Sequence, residues 1–188
     1  MSDARPRAGR PQLTIHPAEP ADAGRVAVLV RSAYRGEQSR AGWTTEADLL
    51  DDERIDAAGV RARIEREDGG ILLAEDEDGE LVGCCEIVRL GGGIVYFGLF
   101  AVVPNKQDAR IGRAVLEAAE RFAVERWAAG TMEMTVIAQR GELIDWYRRR
   151  GYRATGETRP FPYGDLLNGT ARRDDLYFIV LAKPLTSS

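Results

Sequence analysis

Few residues in this 188-residue chain are equipped for chemistry, and their scarcity narrows what it can do. His16 is the sole histidine and falls in the first predicted strand, so neither a Ser-His-Asp nor a Cys-His relay can be assembled around a nucleophile elbow. A zinc site would need His16 together with Cys84 and Cys85. These two cysteines are adjacent on a predicted strand and point to opposite faces, so no metal site is expected. No G-x-x-x-x-G-K-[ST] stretch is present, which excludes a P-loop. What the chain does offer is a polar turn, Pro104 to Arg113, between an apolar strand and an amphipathic helix. A tight strand-to-helix turn leaves backbone N–H groups without partners at the positive end of the helix dipole, where phosphate binds well. An ordinary strand-helix connection would have much the same composition, so the residues inside the turn must decide.

The elements around that turn are legible from their periodicity. Phe97 to Val103 lacks polar alternation and reads as a central strand buried on both faces, ended by Pro104. Beyond the turn, Ile111, Ala114, Val115, Ala118 and Phe122 share one face of a helix that runs toward Gly130. Upstream, Leu13 to His16 predicts an edge strand. Pro20 opens a helix carrying Val26, Leu29, Val30, Ala33 and Tyr34, and Thr44 or Thr45 can cap a short helix. Val60 and Ile64 mark a further helix. Ile71 to Glu75 and Leu81 to Val88 form a hairpin through Asp78-Gly79, and Gly91-Gly92-Gly93 makes the next turn. Met132 to Ala138 predicts a strand and Glu142 to Arg149 a helix, with Tyr152 to Glu157 and Leu176 to Lys183 as closing strands. Arg159 to Asp165 is a rigid aromatic loop of a kind that lines pockets, which makes Tyr163 a candidate for substrate contact; a well-packed turn is the other reading. The order predicts an α/β (α+β) domain with a mixed sheet flanked by helices.

Two segments carry a family resemblance. Gln107-Asp108-Ala109-Arg110-Ile111-Gly112-Arg113-Ala114 resembles the acetyl-CoA pyrophosphate loop of the GCN5-related N-acetyltransferases (GNAT family), with Gln107 and Gly112 in register and Val102 and Pro104 ending the strand before it. Arg110 stands where that pattern has its first glycine, and Asp108 where glycine is frequent; Arg110 and Lys106 bring positive charge in exchange. The second segment is Met134 to Tyr152, where Tyr147 and Gly151-Tyr152 match the family's spacing and Arg140 replaces an asparagine common near the start of the helix. The resemblance spans Leu13 to Leu185. The chain length predicts a single domain, residues 12–186, and the polar, Arg- and Pro-rich composition of residues 1–11 a disordered arm before it. By the resemblance its sheet would be mostly antiparallel, with six or seven strands and a splay beside the acetyl-CoA site.

The same resemblance implies attack of an amine, on a small molecule or a protein, directly on the thioester of acetyl-CoA as acyl-donor cosubstrate. The cofactor would lie on Gln107 to Ala114, with backbone N–H groups of Ala101, Val102 and Val103 toward the thioester carbonyl. Tyr147 is the implied general acid, with core packing as its other reading. Glu86 and Glu133, on predicted strands, are candidate bases, and Glu46 is a third. Trp43 and Glu46, in the segment after the first helix, are candidates for acceptor contact, or equally a core plug and a solvated acid. A non-catalytic acyl-CoA sensor of the same fold is the alternative function.

A net charge of -4 argues against nucleic-acid binding, including a DNA-recognition role for the Ile111 helix. With no leader, no apolar run long enough for a membrane span and no disulfide pair, the expectation is a cytoplasmic protein without a membrane partner. The resemblance also allows a homodimer.

Overall fold

The computed structural model describes residues 12–35, 46–51 and 53–186. Trp43, the Thr44/Thr45 cap and the 1–11 arm lie outside them, as do the side chains of Gln107, Asp108 and Ala109. In chain order the elements are β1 (Thr14–Pro17), α1 (Ala23–Tyr34), β2 (Leu50–Asp51), α2 (Ala57–Ile64), β3 (Gly69–Glu75), β4 (Leu81–Gly91) and β5 (Ile94–Val102). They continue with α3 (Ile111–Trp127), β6 (Thr131–Ile137), α4 (Gly141–Arg148), β7 (Arg153–Pro160), β8 (Thr170–Ala171) and β9 (Tyr177–Pro184). Seven strands form one sheet in the order β1-β3-β4-β5-β6-β9-β7, while β2 and β8 pair apart from it. Within the large sheet every pairing is antiparallel except β5 with β6.

Local chemistry sets these boundaries. Asp56 caps α2 by accepting from the Gly59 N–H at 2.7 Å. Gly91, Gly92 and Gly93 all take positive φ, which lets the chain reverse between β4 and β5. Pro160 is tolerated in β7 because that strand lies at the sheet edge.

Side-chain alternation then sorts the core. Cys84 packs with α1 and α2 through Val26, Val30 and Val60, whereas Cys85 packs with α3 and α4 through Val115, Leu116 and Ile144. The two cysteines thus face opposite sides of the sheet, as adjacent strand residues must. One helical pair covers each face.

What positions the site is a failure of pairing. β5 and β6 are joined only from Ile94–Thr131 to Tyr96–Glu133, although β6 stays paired to β9 as far as Ile137–Phe178. Over the same stretch the β4–β5 register passes from Glu86–Gly98 to Cys84–Ala101, so β5 spends one more residue than β4. Leu99 sits in that bulge at φ 42. A bulge bends its strand and sharpens the local twist, and here it carries β5 away from β6, leaving a wedge between them.

Candidate active site

A cavity of about 410 Å³ fills the wedge, within the size range of small-molecule sites. Its walls are Tyr96 to Phe100 of β5, Met134 to Ile137 of β6, Leu143 and Tyr147 of α4, Tyr34 of α1, and side chains from the α2 region. It therefore opens to both faces of the sheet.

Tyr147 reaches this cavity because Leu143, Ile144 and Tyr147 form the buried face of α4. Its ring lies 6.4 Å from that of Phe100, 5.1 Å from Trp146 and 5.8 Å from Tyr152, measured between centroids. Burial pushes its hydroxyl pKa well above the ordinary tyrosine value, so it carries its proton throughout the neutral range. Tyr152, fully buried, donates instead to Glu120 at 2.9 Å and belongs to the core.

The candidate acids separate. Glu86 is buried and faces the cavity, with Arg63 Nε at 3.4 Å and Arg66 Nη1 at 3.7 Å from its carboxylate. Glu133 pairs with Tyr96 where β5 and β6 are still joined, and it is not part of the cavity wall. Glu46 lines the cavity between Arg35 at 2.7 Å and Arg140 at 3.1 Å. Burial alone would raise its pKa; the guanidinium groups of Arg54, Arg140 and Arg35 outweigh burial and hold it below the ordinary value. Glu46 is a fixed anion, poorly suited to take up a proton.

Two further expectations change place. Tyr163 stands away from the cavity: its hydroxyl accepts the Leu176 N–H at 2.8 Å and its ring meets Phe161, so it fastens the loop before β9. Phe178 is the aromatic from that side which reaches the cavity. On β5, the residues at the cavity wall are Gly98, Leu99 and Phe100; Ala101 and Val102 have fully buried side chains, and Val103 N–H is committed to the Val82 carbonyl at 3.0 Å.

Several site residues gave no signal in the sequence. Tyr96 lies over Gly98, where a Cβ would come within 2.6 Å of its ring, and its hydroxyl meets Thr135 Oγ1 at 3.0 Å across the parting strands. Tyr34, on the buried face of α1, donates its hydroxyl to the Phe100 carbonyl. Arg140 was visible only as a departure from the expected asparagine.

The turn before α3 is built from a 3-10 segment, Pro104–Ala109, followed by Arg110 at φ 62, ψ 12. This left-handed position is where glycine serves best, and arginine occupies it. Gly112 is buried in the first turn of α3. Lys106 points elsewhere, to Asp76 at 2.7 Å in the β3–β4 turn, so its charge is spent there.

A second hollow, of about 470 Å³, lies beside α3 between Arg113, Arg149, Arg150, Lys183 and two glutamates. Arg150 stacks on Trp146 with its guanidinium carbon 3.4 Å from the ring centroid and donates to the Trp146 carbonyl at 2.7 Å. Its Nε is buried without a hydrogen-bond partner. Burial first, then the like charges of Arg113 and Arg149, lower its pKa. Crowded guanidinium groups of this kind favour an anionic ligand in the hollow.

The acetyltransferase (GNAT) domain family matches residues 32–162. No curated protein matches the chain. Among solved structures, a GNAT acetyltransferase from Staphylococcus aureus Mu50 is 15% identical with a TM-score of 0.65, over 93% of this chain and 100% of that one. The ribosomal-protein-S18-alanine N-acetyltransferase of Escherichia coli is 17% identical with a TM-score of 0.64, over 94% and 96%. A GCN5-related N-acetyltransferase from Kribbella flavida is 19% identical with a TM-score of 0.64, over 92% and 98%. At these identities the structures speak for the fold, and the family match, which spans more than half of the chain, speaks for its descent: the chain belongs to the GNAT acetyltransferase family.

Proposed function

We propose that this protein transfers an acetyl group from acetyl-CoA to an amine, with Tyr147 as proton donor and Glu86 as proton acceptor. The observation that carries the reading is the buried Tyr147 side chain lining the wedge where β5 leaves β6. Acetyl-CoA supplies an activated acyl carbon and a leaving thiolate. The N-terminal turn of α3 holds its diphosphate through backbone N–H groups around Gly112, and Arg113, Arg149 and Arg150 hold its remaining phosphate charge. Gly98 to Phe100 present backbone to the acyl oxygen. Tyr147 gives its phenolic proton to the departing sulfur. Glu86, within the same cavity, takes the proton released by the incoming amine, directly or through one water. Glu133 has a structural part in the β5–β6 ladder.

Acetyl-CoA at about 100 times its dissociation constant should add roughly 2.7 kcal/mol to stability, read as a thermal shift. Thiol release with a panel of amines then tests turnover. No shift at millimolar acetyl-CoA refutes the proposal; a shift without any transfer supports the acyl-CoA sensor in its place.

A further inference from the structure

Resting on the acetyltransferase reading, we infer that Tyr96 is the residue that limits the acyl donor to a short chain, because its side chain closes the narrow end of the wedge just beyond the place of the acetyl group. β5 and β6 are last joined at Tyr96–Glu133. From that rung the Tyr96 ring reaches forward to Gly98, where the strands have begun to part. It lies so close that a Cβ on Gly98 would come within 2.6 Å of a ring carbon and 3.2 Å of the phenol oxygen. Its hydroxyl meets Thr135 Oγ1 on β6 at 3.0 Å. One side chain thus spans the first gap between the strands, seated on one and tied to the other.

The direction of the donor follows from its two proposed contacts. The turn for the diphosphate follows the C-terminal end of β5, at Pro104–Ala109 and Arg110. Tyr147, the proton donor to sulfur, has its ring 6.4 Å from that of Phe100. A CoA held at both places runs back along β5, and whatever extends beyond its sulfur heads for Gly98 and Tyr96. From Phe100 to Gly98 is at most about 7 Å of strand. An acetyl group has room there, and each further methylene brings the chain closer to the ring. Burial dominates the raised pKa of Tyr147, and Tyr34 and then Tyr96 add to it, so Tyr96 stands near the proton donor.

Two features separate Tyr96 from ordinary core filling. It is only partly buried and lines the cavity, whereas its neighbour Val95 is fully buried on the other face and takes no part in the wall. Gly98, moreover, lies inside a central strand, where glycine weakens the strand. The Tyr96 ring occupies the room that its missing side chain leaves.

The experiment compares acetyl-, propionyl-, butyryl- and hexanoyl-CoA on the full chain, in the parent and in Tyr96→Phe, Tyr96→Leu and Tyr96→Ala. Binding is read by calorimetry, which needs no acceptor, and transfer as kcat/KM by thiol release with the amine turned over best. The ratio of acetyl to butyryl is decisive, since a general loss of folding or activity cancels in it. The parent should favour acetyl at least about tenfold in kcat/KM, the order expected for size discrimination in a tight apolar site, and bind it more tightly. Tyr96→Phe should keep that preference, Tyr96→Leu weaken it, and Tyr96→Ala lower it about tenfold or more through better use of the longer chains. Should Tyr96→Ala not fold, Tyr96→Leu against Tyr96→Phe decides by the same ratio. Equal use of acetyl and butyryl by the parent, a ratio unchanged in the smaller variants, or a loss in Tyr96→Phe as large as theirs overturns the inference. Length-ranked binding without any acetylated amine would uphold the selection and refute acetyl transfer instead; no binding of any acyl-CoA overturns both.

Discussion

Tyr147 holds its proton because it is buried beside the cavity, with its ring packed among Phe100, Trp146 and Tyr152. Removing the hydroxyl alone leaves that packing in place. Tyr147→Phe should therefore lower kcat about 10²-fold or more, a usual weight for general acid catalysis, with acetyl-CoA affinity and thermal stability nearly unchanged. Because burial raises this phenol above its ordinary value of 10.0, the loss of activity on its deprotonation should appear only above pH 10 in a kcat profile. An unchanged turnover in the variant, where chemistry limits the rate, would return Tyr147 to a packing role. At this scale the sequence was readable where a residue belongs to a short motif, as Tyr147 does with Gly151-Tyr152. It was silent where the site is made by distant partners. Tyr34 and Phe100 are 66 positions apart and Glu46 and Arg140 are 94 apart, and no local pattern announces either contact.

Among the elements, the turn before α3 shows both what patterning reveals and what it hides. Strand, turn and helix were evident from hydrophobic spacing, and Arg110 stood out as occupying a glycine position of the family pattern, but its left-handed conformation is seen only in the structure. A left-handed residue with a Cβ costs about 1 kcal/mol relative to glycine. Arg110→Gly should raise stability by that order, a shift of about 2 to 4 °C in a domain of this size, whereas Arg110→Ala keeps the strain. Calorimetric melting of the two variants distinguishes strain from charge: equal melting temperatures would mean that the turn relaxes around either residue. Gly112→Asp, by contrast, places a carboxylate at the first turn of α3, where phosphate is proposed to bind, and should abolish the thermal shift with acetyl-CoA. The bulge at Leu99 was hidden. Leucine gives no hint of positive φ, and the register change that opens the wedge exists only between strands. The two-residue pairing of β2 with β8 is likewise too short for any alternation to show.

For the molecule as a whole, Glu46 ties the parts that must move together if the wedge is to keep its shape. Its N–H donates to the Tyr34 carbonyl at the end of α1 at 3.0 Å, its carboxylate holds Arg35 there, and it reaches Arg140 before α4. The side chains involved are 7% exposed at Glu46, 9% at Arg35 and 8% at Arg140, so this is a buried ionic cluster that joins the helices on opposite faces of the sheet. Removing one charge from such a buried cluster upsets its balance and costs about 3 kcal/mol or more. Glu46→Gln should therefore destabilise by that amount at pH 7, measured by denaturant unfolding. The pH dependence gives the direction of the second half of the prediction. Glu46 ionises more readily in the folded than in the unfolded chain, so the unfolded state binds its proton first as pH falls. Its contribution is complete above the ordinary value of 4.5 and drains away as pH drops below that value through the lower folded one. The glutamine variant has no such proton to bind. The stability difference between parent and variant should accordingly be largest at neutral pH and narrow steadily below pH 4.5; a difference that stays constant down to pH 3.5 would show that Glu46 holds the helices by packing and hydrogen bonding, with its charge contributing nothing.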